Sequence, residues 1–332
     1  MKKNLLYGLI LTALLGVAWW LTQQDDRSTL KREEADFHLD DTASIDKFFI
    51  ADKSGRSVVI ERISESQWLV NKKHLARPDA IEFVLSTFLR VEVKSPVPRA
   101  AIENVKKQIG TIGKKVEVYS AGKKLLVFYV GHPTIDSRGT YVLRENAALP
   151  YIVHLPGWEG FITPRFFTDE EEWRERIMVR LNPDSIRSIA TEFTDKPEES
   201  FVLTKGSGLQ FELRNGAGQK ANIDTAAVRQ LFGGFTRLPV ESYDNYGVMK
   251  DSVVNMLPPF LKVTVQEFNG NSHTFNAYPK SQLNQLDVVL LGVLPDLDRD
   301  YFFYEERNDF GYVQRRAIPW LYFTYLDLKA KD

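Results

Sequence analysis

One stretch of the chain recurs without a gap. Ile81, Val84, Leu85 and Phe88, followed by Arg90, Val91, Val93 and Ser95, match Val228, Leu231, Phe232 and Phe235, followed by Arg237, Leu238, Val240 and Ser242, at a constant offset of 147. Both copies carry apolar residues at i, i+3, i+4 and i+7, the stripe of a half-buried helix, and then alternate with period two, as a strand with one buried face does. A self-similar segment of this kind constrains the fold because it demands the same local structure twice. Pro78 suits the first turn of the first helix and Asp224 the N-cap of the second.

The likeness extends to both sides. Upstream, Ser44-Ile45 to Asp52 resembles Ser185-Ile186 to Asp195, and each is followed by two short strands: Ser57–Arg62 and Gln67–Val70, then Ser200–Thr204 and Leu209–Leu213. Downstream, Lys114–Ser120 with Lys123–Val130 reads as a hairpin, matched by Leu261–Phe268 with Ser272–Tyr278 around an Asn-Gly turn. Thr140–Arg144 with Tyr151–His154 closes the first copy, and Tyr301–Glu305 with Tyr312–Arg315 the second. The second copy carries an insertion of about a dozen residues between Pro279 and Asp300, rich in Leu and Val. It reads either as an element covering an open sheet edge or as an apolar docking surface, with Leu290 and Leu291 as candidate partner-binding residues.

Met1-Lys2-Lys3-Asn4 precedes an uncharged run from Leu5 to Leu21, with Tyr7 near one end and Trp19-Trp20 at the other. At ~1.5 Å per residue such a run comes close to a ~30 Å hydrocarbon layer, so a retained signal anchor over 1–22 is expected, N-terminus inside. A cleaved signal peptide with Gly16-Val17-Ala18 at the cut is the rival, opposed by the bulky rings that would follow the cut. The predicted architecture is therefore α+β: an N-terminal transmembrane helix, a charged stalk over 23–40, and two tandem copies of an antiparallel-sheet-plus-helix unit over 41–160 and 181–330. A linker helix over 161–180 joins them, its acidic run Asp169 to Glu172 solvated and Thr168 able to cap it. The expected place is the inner membrane, single-pass, with the bulk of the chain periplasmic.

Composition narrows the chemistry. Acidic residues number 44 and basic 43, without the basic excess that nucleic acid asks for, and with no cysteine there is no disulfide, thiol nucleophile or cysteine-ligated metal. None of His38, His74, His132, His154 and His273 has the spacing that brings two imidazoles onto one helix face. His132-Pro133-Thr134-Ile135-Asp136-Ser137 collects a base, an acid and a hydroxyl within one turn, a neighbourhood in sequence without a triad's geometry. Asp296, Asp298 and Asp300 alternate as calcium ligands do, but Tyr301 replaces the loop glycine and Arg307 the final carboxylate. No catalytic residue, cofactor site or metal site is selected. The aromatics that end the two copies read mostly as core and sheet-face residues; a partner-binding or sugar-stacking surface is the other reading, with Trp158, Trp320 and Tyr322 as its candidates.

The phrases Gln67-Trp68-Leu69-Val70, Arg77-Pro78-Asp79-Ala80, Tyr141-Val142-Leu143-Arg144 and Trp173-Arg174-Glu175-Arg176 resemble the bacterial membrane-anchored family catalogued as domain of unknown function 4340. The resemblance covers nearly the whole chain through structural motifs. It implies one membrane helix, a tryptophan strand ahead of a helix, and association with ABC-type export permeases or gliding-like auxiliary proteins; it supplies no catalytic residues. Together these features give the expectation of a non-enzymatic envelope accessory protein that binds a partner in an ABC-type transport or gliding-like assembly. The alternatives are an extracytoplasmic glycan- or ligand-binding module and, last, a hydrolase.

Overall fold

A computed structural model describes residues 12–17, 19, 35–206, 210–283, 288, 289 and 291–330. The chain divides into two compact units, the first ending at Arg174 and the second beginning at Glu175.

The first unit is built on β1 (Lys47–Ala51), β2 (Ser57–Arg62), β3 (Trp68–Val70), β4 (His74–Leu75), β5 (Glu92–Pro96), β6 (Lys114–Ser120), β7 (Lys123–Pro133), β8 (Thr140–Arg144) and β9 (Tyr151–His154). They form one antiparallel sheet in the order β4-β3-β2-β1-β6-β7-β8-β9-β5. Alternation puts Phe48, Ile50, Val58, Ile60, Val116, Val118, Phe128 and Val130 on one buried face. Helix α1 (Pro78–Arg90) covers that face with Ala80, Ile81, Val84 and Phe88. It starts where Pro78 fixes φ behind an extended Arg77 and stops where Val91 turns extended. A second helix, α2 (Ile102–Ile112), lays Val105 and Ile109 on the opposite face, against Tyr129, Tyr141 and Ile152.

In the second unit β10 (Ile177–Val179) pairs with β15 (Leu238–Pro239) as a separate ribbon. The remaining strands are β11 (Ile186–Phe193), β12 (Phe201–Lys205), β13 (Phe211–Asn215), β14 (Lys220–Ala221), β16 (Ser242–Tyr243), β17 (Leu261–Glu267), β18 (Ser272–Ser281), β19 (Pro295–Tyr304) and β20 (Asp309–Gln314). Their order is β14-β13-β12-β11-β17-β18-β19-β20-β16. Helix α4 (Thr225–Gly234) is capped by Asp224, whose carboxylate accepts from the Ala226 and Ala227 amides at 2.8 and 3.1 Å, and buries Val228, Leu231 and Phe232. Helix α5 (Met249–Met256) sets Met249 and Val253 against Tyr278, Tyr301 and Phe310 on the other face.

Two expectations are corrected. Among the described residues no helix is long and apolar enough to cross a membrane, so the N-terminal transmembrane helix and the single-pass inner-membrane placement are not supported. Most of the run Leu5 to Leu21 lies outside the described residues; 12–17 and 19 are helical and exposed, and six residues rise only ~9 Å. The expected sheet-plus-helix unit is also replaced. Antiparallel sheet dominates, the helices are short and differ in length between the units, and helices sit on both faces of each sheet. Residues 99–112 and 249–256, which the periodicity left without a helix, carry the second layer because the outward faces of β7–β9 and β18–β20 are themselves apolar.

Residues 35–40, assigned to the stalk, pack on the first unit: Phe37 meets Phe128 and Tyr151 edge-on at 5.9 and 6.3 Å, and the Leu39 amide donates to Phe88 O at 2.9 Å. The acidic run forms only one turn, α3 (Glu170–Trp173), capped by Asp169, while the Thr168 hydroxyl donates to Asp52 at 2.7 Å. Trp173 closes the first core at 5.5 Å from both Phe48 and Phe167. In the insertion, β18 and β19 extend to the pair Ser281–Pro295 and Val289 joins the α5 core on a sheet face, while residues 284–287 and 290 lie outside the described residues.

On β6, burial of Glu117 raises its pKa, but the Lys115 ammonium at 2.7 Å and the Tyr119 hydroxyl outweigh it and hold the carboxyl at about 2. A depressed folded-state pKa gives stability that is present above the unfolded value near 4.5 and disappears as pH falls through the folded one. Glu117→Gln is therefore expected to be less stable than the parent at neutral pH, the two denaturant midpoints converging between pH 4.5 and 2.

Candidate functional site: a helix–sheet groove in each unit

Each unit has an open groove where the second and third strands pass beside the covering helix. In the first unit it has a volume of about 350 Å³ and runs between Arg62 and Trp68 of the sheet and Ile81, Glu82 and Leu85 of α1. In the second, about 330 Å³ lie between Lys205 and Phe211 and Val228, Arg229 and Phe232 of α4. The helix residues correspond at the offset of 147 already noted, and the sheet residues at 143.

The same pair forms the floor of both. Arg62, last in β2, faces Trp68, first in β3, as a register pair; Lys205, last in β12, faces Phe211, first in β13, in the same way. The Arg62 guanidinium lies 4.7 Å over the Trp68 ring and donates from Nη2 to Thr42 O at 3.4 Å. Lys205 Nζ donates to Pro183 O at 3.4 Å, at the position equivalent to Thr42, and bonds Asp184 at 3.1 Å. The Phe211 ring meets Phe232 edge-on at 5.2 Å. Arg62 Nε is buried without a hydrogen-bond partner among the described residues, an N–H for which a ligand oxygen is the natural complement. The rims differ in charge: Glu65 and Glu82 in the first groove, Asp184 and Arg229 in the second. Such a site offers an apolar wall, an aromatic floor and one fixed cation.

Sequence reasoning singled out Trp68 only within a family phrase and missed Arg62, Lys205 and Phe211. The equal separation of both cations and both aromatics was the available signal. The residues that were chosen are scattered. Trp320 is 7% exposed, packed edge-on to Phe235 at 4.7 Å and onto Gly234, where even an added Cβ would meet its ring. Tyr322 donates to Asp300 at 2.6 Å; burial first, and Asp300 next, push its pKa well up. Trp158, 41% exposed, has Arg165 over its ring at 4.9 Å and the Gly160 backbone against its six-membered edge, so it is no open sugar platform. Leu291 is 76% exposed on the β18–β19 hairpin, and Leu290 lies outside the described residues.

The polar clusters resolve into structural pairs. His132 turns to Gln108 of α2 and to Pro133 O, whereas Asp136 accepts from Thr134 and the Arg138 amide. Asp300 accepts from Arg315 Nε and Nη2 at 2.8 and 2.6 Å, and Asp296 pairs with Lys280 at 3.4 Å, so these two of the alternating aspartates go to separate cations. Among the described residues no group of three or more His, Asp or Glu could hold a metal ion. Ser185, Glu267, His273 and Tyr304 do meet, but the Ser185 hydroxyl donates to Glu267 and His273 bonds Tyr304 at 2.6 Å. A serine nucleophile needs the imidazole beside it, and here the carboxylate intervenes.

Compared with family models, curated proteins and solved structures, the chain finds no match in any of the three.

The Asp300 cluster predicts a stability effect. Tyr322→Phe removes one donor from a fully buried carboxylate and is expected to cost ~1.5–3 kcal/mol in denaturant unfolding. Tyr325→Phe, whose hydroxyl has no hydrogen-bond partner among the described residues, should stay within ~0.5 kcal/mol of the parent.

Proposed function

We propose that the chain is a non-enzymatic partner-binding protein, and that each helix–sheet groove receives an apolar side chain of another protein. The cation beside the aromatic holds a carbonyl or carboxylate oxygen of the same segment. The observation that carries this reading is the repeated register pair, Arg62 with Trp68 and Lys205 with Phe211, built into grooves of nearly equal volume from different residues. Apolar walls with a few fixed polar groups are the usual make-up of a recognition site. The differing rims, acidic in one unit and carrying Arg229 in the other, suit two different segments. The family resemblance makes components of an ABC-type transport assembly the first partners to look for.

A photo-cross-linking residue at Glu82 or Arg229, the exposed helix positions that rim the two grooves, is expected to trap a protein in cells, whereas one at exposed Lys123, at the start of β7, is not. Arg62→Ala should reduce the Glu82 adduct several-fold and leave that at Arg229 unchanged. Equal adducts at Lys123, or none at either groove, would contradict the proposal.

A further inference from the structure

Helix α1 has a further stripe beside its groove-facing one, exposed at Phe83 and Arg90 and buried at Thr87. Against it lies Arg165, whose guanidinium sits between two aromatic rings, 5.4 Å from Phe83 and 4.9 Å from Trp158. Phe83 is 53% exposed, so the arginine is walled by rings that themselves face solvent. Arg165 Nη1 donates to Phe83 O at 3.3 Å and to Thr87 Oγ1 at 3.1 Å, which fixes the plane of the group and leaves its Nε and Nη2 edge without a partner among the described residues. Arg90 is anchored by a bond from Nη2 to Pro156 O at 3.0 Å.

Neither arginine has a carboxylate partner among the described residues; Glu159, close by in sequence, pairs with Arg138 at 3.7 Å. The two cations share one patch: Arg165 bonds Thr87, three residues before Arg90 on the helix, and Arg90 bonds Pro156 O, two residues before the Trp158 that Arg165 covers. Burial, and behind it the charge of Arg90, push Arg165 below the ordinary arginine value. Like charges held together without a counter-ion are costly to the fold, and a bound anion removes that cost. Arginine remains protonated throughout, so the pocket keeps its charge at any physiological pH. A stacked guanidinium presents its N–H edge outward in the fork geometry that matches phosphate oxygens.

We propose that Arg90 and Arg165, flanked by Phe83 and Trp158, form a binding site for a dianionic phosphate group. Arg165 supplies the oriented N–H edge and Arg90 the second charge, while the exposed rings take the apolar part of whatever carries the phosphate. The site is separate from the two grooves and does not depend on their function. It also gives Trp158 a role that neither core packing nor an open sugar platform supplies.

The test is a titration of the full chain with inorganic phosphate at constant ionic strength and pH 7.5, followed by NMR of the tryptophan indole N–H signals, with Trp158 assigned by Trp158→Phe. The Trp158 signal is expected to shift saturably with phosphate and far less with acetate or chloride. Arg165→Gln and Arg90→Gln should each weaken binding by about tenfold or more. Arg90 is exposed, and among the described residues its side chain makes one hydrogen bond, to Pro156 O, so its variant tests the site even where Arg165→Gln disturbs the fold. No saturable shift, an equal response to acetate, or unchanged affinity in the folded Arg90→Gln chain would overturn the assignment.

Discussion

Burial of Ile81, Val84 and Phe88 against the inner face of β1, β6 and β7 closes the first unit's core, with Phe88 packed edge-on to Phe48 and Phe128 at 6.3 and 6.4 Å. Val228, Leu231 and Phe232 do the same work for β11, β17 and β18. A large aromatic or aliphatic side chain buried in this way contributes ~1.5–3 kcal/mol, and an antiparallel sheet left bare on that face would not hold. Everything else is placed by this contact. The helix must leave the sheet beside its short outer strands, and the gap between helix and those strands becomes the groove.

This dependence explains what was legible in the sequence. Strands β2, β6, β8 and β9 coincide with the segments read from period-two alternation, and the helical stripes of α1 and α4 are buried where the spacing put them. Both signals arise from one face being apolar and the other polar. Helices α2 and α5 were not legible because they cover the outward face: Tyr129 and Tyr141 under α2, and Tyr278 and Tyr301 under α5, are apolar on the side that alternation assigns to solvent. Trp173 was missed as a core residue because four acidic residues precede it, and their charge resembles a solvated helix more than the last turn before a buried ring.

The candidate site was less legible than the fold. Single exposed-looking aromatics drew attention to Trp320 and Tyr322, and both are used internally, one against Gly234 and Phe235, the other on Asp300. Arg62 and Lys205 carry no motif. Their significance lies in being paired across two strands with an aromatic, a relation that exists only once register is known. The repetition matters physically because core packing requires an apolar residue at Trp68 and Phe211 but does not require a cation opposite each.

Hydrogen–deuterium exchange on the full chain, alone and in complex with the protein trapped at Glu82, tests the groove most directly. The structure predicts added protection over Pro78–Arg90 and over Ser57–Arg62 and Trp68–Val70, the helix and strands that wall the site. Unchanged exchange there, with protection confined to the β6–β7 hairpin or another surface, would contradict it.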